Sequence, residues 1–429
     1  MLQTFRNAWK IDELRKKILF TLFMVLLYRL GAAVLVPYVD TEKLRLYFDT
    51  QLQSSILGLH NVMSGGAFST ATIFALGIQP YINASIIIQL LCIAIPALEK
   101  LSKEGGEEGR KKINDITRYS TVGIGLLQGW GYYQIISRNT LLQSDAPGIW
   151  AGIVIVFTFT AGSALLMWMG EQITEFGIGN GISIILFAGI VSRFPTGVSN
   201  LIAKAKAGSL SWIATILMLL GALAMIIMIV YVNDAERRIP VQYAKRVVGR
   251  KMYGGQSTHL PMKVNMSGVL PIIFAQSIAS LPATVIMLFG GSSNNWFSRN
   301  FNSSTIPYAI VYFLLILFFS YFYATIQFNP VEVANNLKKN GGFIPGYRPG
   351  KPTSEFIQKV LNKVTLFGAV YLGIIACVPI IISACSKAAA NTGISLGGTS
   401  IIIVVGVAIE TVQALENQML MRHYKGFLE

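Results

Sequence analysis

The sequence predicts an all-α polytopic membrane protein, with ten transmembrane helices arranged as two pseudo-symmetric five-helix halves. Three observations predict it. Hydrophobic residues make up 53% of the 429 positions and charged residues only 13%, whereas a soluble domain carries about 25% charged residues. Apolar runs close to the ~20 residues needed to cross about 30 Å of hydrocarbon recur from end to end. Lys and Arg gather in alternate connecting segments, as they do in cytoplasmic loops.

The ten runs fall at about 18–39, 71–98, 119–137, 149–170, 181–195, 212–232, 267–290, 306–326, 364–385 and 396–418. The N-terminal "MLQTFRNAWKIDELRKK" is too charged and too long for a cleaved signal peptide, so the first span is expected to be retained. The second opens with "ALGIQPYINAS", placing a helix breaker and two amides, Asn83 and Gln89, inside an apolar run. Cys92, Cys377 and Cys385 all lie in apolar runs, where free cysteine behaves as a small hydrophobe. His60, His259 and His423 are scattered without partners at metal-ligand spacing, so no metal and no cofactor is expected.

The N-terminus, the C-terminal tail and the loops after spans 2, 6 and 8 hold 26 of the 35 Lys and Arg residues. Both termini are therefore expected in the cytoplasm, which requires an even number of spans. The loops at about 233–264 and 327–363 are also long, basic and supplied with turn-forming Gly and Pro. They look built to dock ribosomal RNA, anionic lipid or an acidic protein surface. Residues 41–57, "TEKLRLYFDTQLQSSIL", read as a generic amphipathic stretch with no assigned role, and no role is read into 385–396.

A faint internal echo supports halves at 1–200 and 201–429. Span 2 has "ALGIQPYINAS" where span 7 has "SGVLPIIFAQS", and span 5 opens "GIGNGISII" where span 10 opens "LGGTSIII". Spans interrupted by Gly and Pro at matching positions point to a functional pathway, because broken backbone survives at membrane depth only against protein or a water-filled cavity. That pathway offers aliphatics. Ile78 and Ile82 are four apart, as are Ile182 and Leu186, so each pair shares one helix face, and Ile273 and Ile403 fall in the equivalent parts of spans 7 and 10. Such a constriction excludes water and ions by dewetting. Only Arg29 and Glu410 are ionisable well inside a run, too few for a proton relay. A secondary transporter of small solutes, the alternative function, would need such a cluster. No nucleotide-binding loop or catalytic constellation argues for an enzyme.

Seven stretches together resemble the SecY/translocon channel family: "NVMSGGAFSTATIFALGIQPYINASIIIQLL", "KEGGEEGRKKINDITRY", "EFGIGNGISIILFAGI", "RRIPVQYAKR", "QSTHLPMKVNMSGVLPIIFA", "NPVEVANNLKKNGGFIPGYRPGKPT" and "GGTSIIIVVGVAIE". The resemblance implies an hourglass channel whose two halves form a clamshell. It would pass unfolded secretory polypeptides and release hydrophobic segments sideways into lipid. It makes Ile78, Ile82, Ile182, Leu186, Ile273 and Ile403 the pore ring. Residues at about 58–72 become a plug helix, with Asn61, Ser64, Gly65, Gly66 and Ser69 suiting a weakly held segment. The lateral gate would run between spans 2 and 3 and spans 7 and 8, with Asn83, Gln89, Gln276 and Ser277 as polar liners. Lys245, Arg246, Arg250, Lys251 and Arg348 would engage a SecA motor ATPase or the ribosome. Partners implied are SecE-like and SecG-like subunits, signal peptides, nascent polypeptides and anionic lipid, in a bacterial inner membrane. The run after span 1, "VLVPYVD", departs from the family's usual Ile-Pro pattern.

Overall fold

The computed structural model describes the chain except residues 1, 53–55, 104, 144–147, 209–210, 244–245, 249–250, 254–256, 267, 289–304, 386–396 and 426–429. Backbone alone is described for some others, among them 246–248, 251–253, 283–288 and 421–425. The first half of the sequence folds as α1 (Leu2–Trp9), α2 (Asp12–Gly31), α3 (Thr41–Tyr47), α4 (Ile56–Met63), α5 (Gln79–Ala94), α6 (Pro96–Lys103), α7 (Gly106–Arg138), α8 (Gly148–Phe176) and α9 (Gly181–Lys206). The second half supplies α10 (Trp212–Asp234), α11 (Leu270–Leu288), α12 (Ile306–Gln327), α13 (Pro330–Lys339), α14 (Lys351–Cys385) and α15 (Gly397–Lys425).

A helix lies in each of the ten predicted segments. Six of the described helices are long and apolar enough to cross a membrane, and the bent pair α5–α6, turned by 106° where they meet, makes a seventh. Helices α7 and α14 begin well before the apolar runs they contain, because the charged segments leading into them continue the helix. Helix α7 packs along α5 and α8, α11 along α5, α7 and α12, and α12 along α14. On the other side α15 packs against α9, α10 and α14. One large apolar core runs through these helices other than α7, whose Tyr132 and Ile136 belong to a second cluster.

Two departures from the sequence reading concern the backbone. The predicted plug helix is helical only to Met63, and residues 64–78 form a series of turns before α5 begins at Gln79. The reason is local: Gly65, Gly66 and Gly77 have φ of 67°, 93° and 58°, values that favour glycine and cannot continue a right-handed helix. Pro80 then sits in the first turn of α5, where its missing N–H costs nothing. The second departure is a small sheet in an otherwise helical chain. Strands β1 (Glu236–Tyr243) and β4 (Ser257–Lys263) pair antiparallel, and β5 (Gly342–Phe343) pairs with β1 on its other edge. Between β1 and β4 lies a hairpin of β2 (Arg246–Val248) and β3 (Lys251–Tyr253). The two long basic loops are thus one unit, held by a core of Ile239, Val241, Met262, Leu337, Ile344 and Ile357.

Candidate functional site

The six aliphatic positions share one large apolar core. Ile78 precedes α5 and Ile82 lies on its first turn, Ile182 and Leu186 lie on the first turns of α9, Ile273 on α11 and Ile403 on α15. Five of them are at most 3% exposed and belong to one buried cluster, against which the partly buried Ile182 packs. Four elements, with residues up to 325 positions apart, therefore contribute to one apolar cluster. Met63, at the end of α4, and Ala67, from the turns before α5, are buried in the same cluster.

The turns at 64–78 satisfy their polar groups largely from within. Asn61 Oδ1 accepts from the Ser69 N–H at 2.9 Å, the Gly66 N–H donates to the Asn61 carbonyl at 2.8 Å, and Ser64 Oγ accepts from the Phe68 N–H at 3.2 Å. Ser69 and Thr70 both donate to the Gly66 carbonyl at 3.1 Å. It is also tied to the rest of the chain, where the Val36 N–H donates to the Ala71 carbonyl at 3.0 Å and Ser163 Oγ donates to the Gly77 carbonyl at 3.1 Å. Tyr28 OH donates to the Ser64 carbonyl at 3.3 Å, Tyr132 OH donates to the Phe68 carbonyl, and the Ile73 N–H donates to the Val34 carbonyl at 3.0 Å. The segment is compact, bonded within itself and bonded to its neighbours.

A polar seam crosses between α5 and the α11–α12 pair. Gln79 Nε2 donates to Ser277 Oγ at 2.8 Å, Tyr323 OH donates to Gln89 Oε1 at 2.5 Å, and Gln276 Nε2 points at Met63 Sδ at 2.9 Å. Of the four expected gate liners, Gln89, Gln276 and Ser277 make these contacts, while Asn83 is buried on α5. Sequence reasoning missed Gln79 and Tyr323. Gln79 sat in plain view in "GIQPY", but only the fold reveals that Ser277 faces it. The Gln276 side-chain oxygen is buried and finds no hydrogen-bond partner among the described residues.

Arg348 is exposed on the turn after β5, where Gly346 and Gly350 adopt φ of 87° and 105° and Thr353 Oγ1 donates to the Arg348 carbonyl at 2.8 Å. Lys245 and Arg250 lie outside the described residues, and Arg246 and Lys251 stand on β2 and β3 with backbone alone described.

Comparison with known proteins now decides the family. The SecY family profile matches residues 72–412. This chain belongs to the SecY family. The Protein translocase subunit SecY of Streptomyces scabiei is 45% identical over 442 residues, covering 100% of both chains. That of Mycobacterium tuberculosis (strain CDC 1551 / Oshkosh) is 41% identical over 447 residues, again covering 100% of both. In fold, the chain is similar to the protein of "The structure of a protein conducting channel", with a TM-score of 0.66 at 17% identity over 94% of this chain and 92% of that one. It is also similar to canine Sec61, with a TM-score of 0.62 at 16% identity over the same shares. The chain is a multi-pass membrane protein built as a SecY-type channel for protein translocation. Nothing in family or fold supports the small-solute transporter.

Proposed function

We propose that this chain is the waist, seal and side door of a pathway for unfolded secretory polypeptides, in a bacterial inner membrane with both termini in the cytoplasm. The observation that carries the reading is the common apolar cluster of Ile78, Ile82, Leu186, Ile273 and Ile403 with Met63 and Ala67. The six aliphatic side chains, Ile182 included, are the pore ring. A ring of this kind can close around many sequences, because dispersion contacts are nondirectional, and it keeps out ions by dewetting. Residues 58–72, with Asn61, Ser64, Gly65, Gly66 and Ser69, are the plug that fills the waist between substrates.

The seam through Gln79, Asn83, Gln89, Gln276, Ser277 and Tyr323 is the lateral gate between halves 1–200 and 201–429. A signal peptide or hydrophobic segment leaves through it, since burial in lipid gains about 25 cal/mol per Å² of apolar surface. The unpaired Gln276 oxygen helps. A buried acceptor without a donor costs about 1–3 kcal/mol, and that cost is relieved when the seam opens to a polar chain or water.

The fused basic loops form the docking face for a SecA motor ATPase or the ribosome, through Lys245, Arg246, Arg250, Lys251 and Arg348. A ribosome-bound Sec61 among the structural relatives supports the ribosome for that face. SecE-like and SecG-like subunits and anionic lipid complete the assembly. Arg348→Glu is expected to cut precursor transport at least tenfold in membrane vesicles while leaving the thermal midpoint unchanged, because the side chain is exposed. Unchanged transport would remove Arg348 from the docking face.

The reading as a whole is tested by planar-bilayer conductance. The parent protein is expected to be silent and a variant lacking residues 60–70 to pass large currents. Silence from both would refute the plug.

A further inference from the structure

From the side-chain geometry we propose that segment 41–52 and α7 hold the plug shut through an aromatic clasp, with Phe48 and Tyr132 gripping Phe68. This rests on the reading of residues 58–72 as the plug. It gives a role to a stretch in which the sequence offers no motif.

Four rings stand in a row. Phe48 meets Phe68 edge-on with ring centroids 5.9 Å apart, Phe68 stacks on Tyr132 at 4.3 Å and 21°, and Tyr132 meets Phe159 at 5.0 Å. All four are at most 3% exposed. They come from four different places: Phe48 follows α3, Phe68 sits in the plug turns, Tyr132 is on α7 and Phe159 on α8. Tyr132 also donates its hydroxyl to the Phe68 carbonyl, so the plug is gripped by ring and backbone at the same residue. The His60 ring lies 6.3 Å from Phe68 on the plug's own side.

The clasp is separate from the waist. Phe48, Phe68, Tyr132 and Phe159 form a second apolar cluster with Leu44 and Leu57, distinct from the cluster that holds the six pore-ring positions. Residue 48 is itself firmly placed. Asp40 caps α3 by accepting from the Lys43 N–H at 3.1 Å, and its side chain pairs with the Lys43 ammonium at 2.9 Å. Those bonds hold the Asp40 carboxyl below the usual carboxylate range, so the cap is present at neutral pH and is lost only in acid. Leu44 is buried beside Phe48 one turn earlier. The clasp adds to the plug's other outward bonds, from Tyr28 OH to the Ser64 carbonyl and from the Val36 N–H to the Ala71 carbonyl. An aromatic pair or a single net hydrogen bond shifts an equilibrium about three- to tenfold. Such a latch holds the plug at rest and yields to an arriving chain.

The test uses the full-length chain with its co-purifying subunits in planar bilayers, comparing the parent, Tyr132→Phe, Phe48→Ala and the 60–70 deletion. Tyr132→Phe keeps the stack and loses the hydrogen bond. Both point variants are expected to raise the time-averaged conductance about three- to tenfold, short of the deletion. If the deletion conducts and both point variants stay as silent as the parent, the clasp is wrong and the plug stands. If the deletion itself is silent, the plug reading fails first and takes the clasp with it.

A second arm asks whether the clasp opens during transport. Phe48→Cys with Phe68→Cys, in a background free of the native cysteines, is bridged by a short bismaleimide in membrane vesicles. Before bridging, the pair is expected to leak more than the parent and to transport a precursor normally. After bridging, transport is expected to fall at least tenfold. A pair that leaks no more than the parent, or bridged vesicles that transport as well as unbridged ones, would overturn the proposal.

Discussion

Replacing Ile82 and Ile273 together by glycine is expected to turn a silent pore into one that passes large ion currents across a planar bilayer. Both side chains are 3% exposed and sit in one large apolar cluster, one on α5 and one on α11. Each substitution removes four carbons from the constriction, at about 0.8 kcal/mol of lost burial per methylene, with a further cost for the space left behind. The summed loss of roughly 6–8 kcal/mol measures how much apolar surface leaves the constriction. Once the opening admits a continuous water column the dewetting barrier disappears, and ions follow. Thermal stability should fall as well, so the conductance must be read on protein that still elutes as a folded complex. Ile82→Val with Ile273→Val is the control, since losing one methylene each costs only about 0.5–1.5 kcal/mol per site and should preserve the seal. A folded but silent double-glycine channel would remove the ring from the mechanism.

The shared faces of the aliphatic pairs were legible in the sequence because a helix repeats every 3.6 residues. Ile78 with Ile82, and Ile182 with Leu186, had to share a face wherever their helices went. What met those faces was not legible, since an isoleucine against lipid and one against protein look alike in composition. The same limit hid the seam: Gln89 and Ser277 stood out as amides and hydroxyls in apolar runs, but their partners Tyr323 and Gln79 are distant in sequence and ordinary in type. The small sheet was hidden for another reason. Strand β1 reads "ERRIPVQY", with a proline and three charges, and only Ile239 and Val241 point inward to a core built with residues a hundred positions later. The turns at 64–78 were read as a helix running into an apolar span because thirteen of their residues are small or apolar. The Gly65-Gly66 pair and Gly77 were the signals that mattered, as positions able to take positive φ.

Glycine 162 shows how tightly the plug region is tied to the helix bundle. On α8, a Cβ at this position would lie 1.8 Å from the Ile73 carbonyl oxygen and 2.7 Å from its carbon, and both are backbone atoms that no rotamer change can move. Ile73 is itself fixed by its N–H bond to the Val34 carbonyl at 3.0 Å, and the neighbouring Ser163 Oγ donates to the Gly77 carbonyl at 3.1 Å. Helix α8 thus braces the turn region at residue 73 and again at the break that starts α5. Gly162→Ala must push α8 away or tear these bonds, an overpacking cost of typically 1–3 kcal/mol and more where backbone is the obstacle. The matched control is Gly123→Ala on α7, where an added Cβ meets nothing within 4 Å. There the change removes the intrinsic penalty of glycine in a helix, about 0.8–1 kcal/mol. The two identical substitutions are therefore expected to move the thermal midpoint of the purified complex in opposite directions, down for Gly162→Ala and up or level for Gly123→Ala. Because the displaced backbone belongs to the turns that lead from the plug into α5, only the first should also leak ions. Equal midpoints would mean that α8 yields freely at this contact, and the close approach of residues 73 and 162 would then carry no part of the seal.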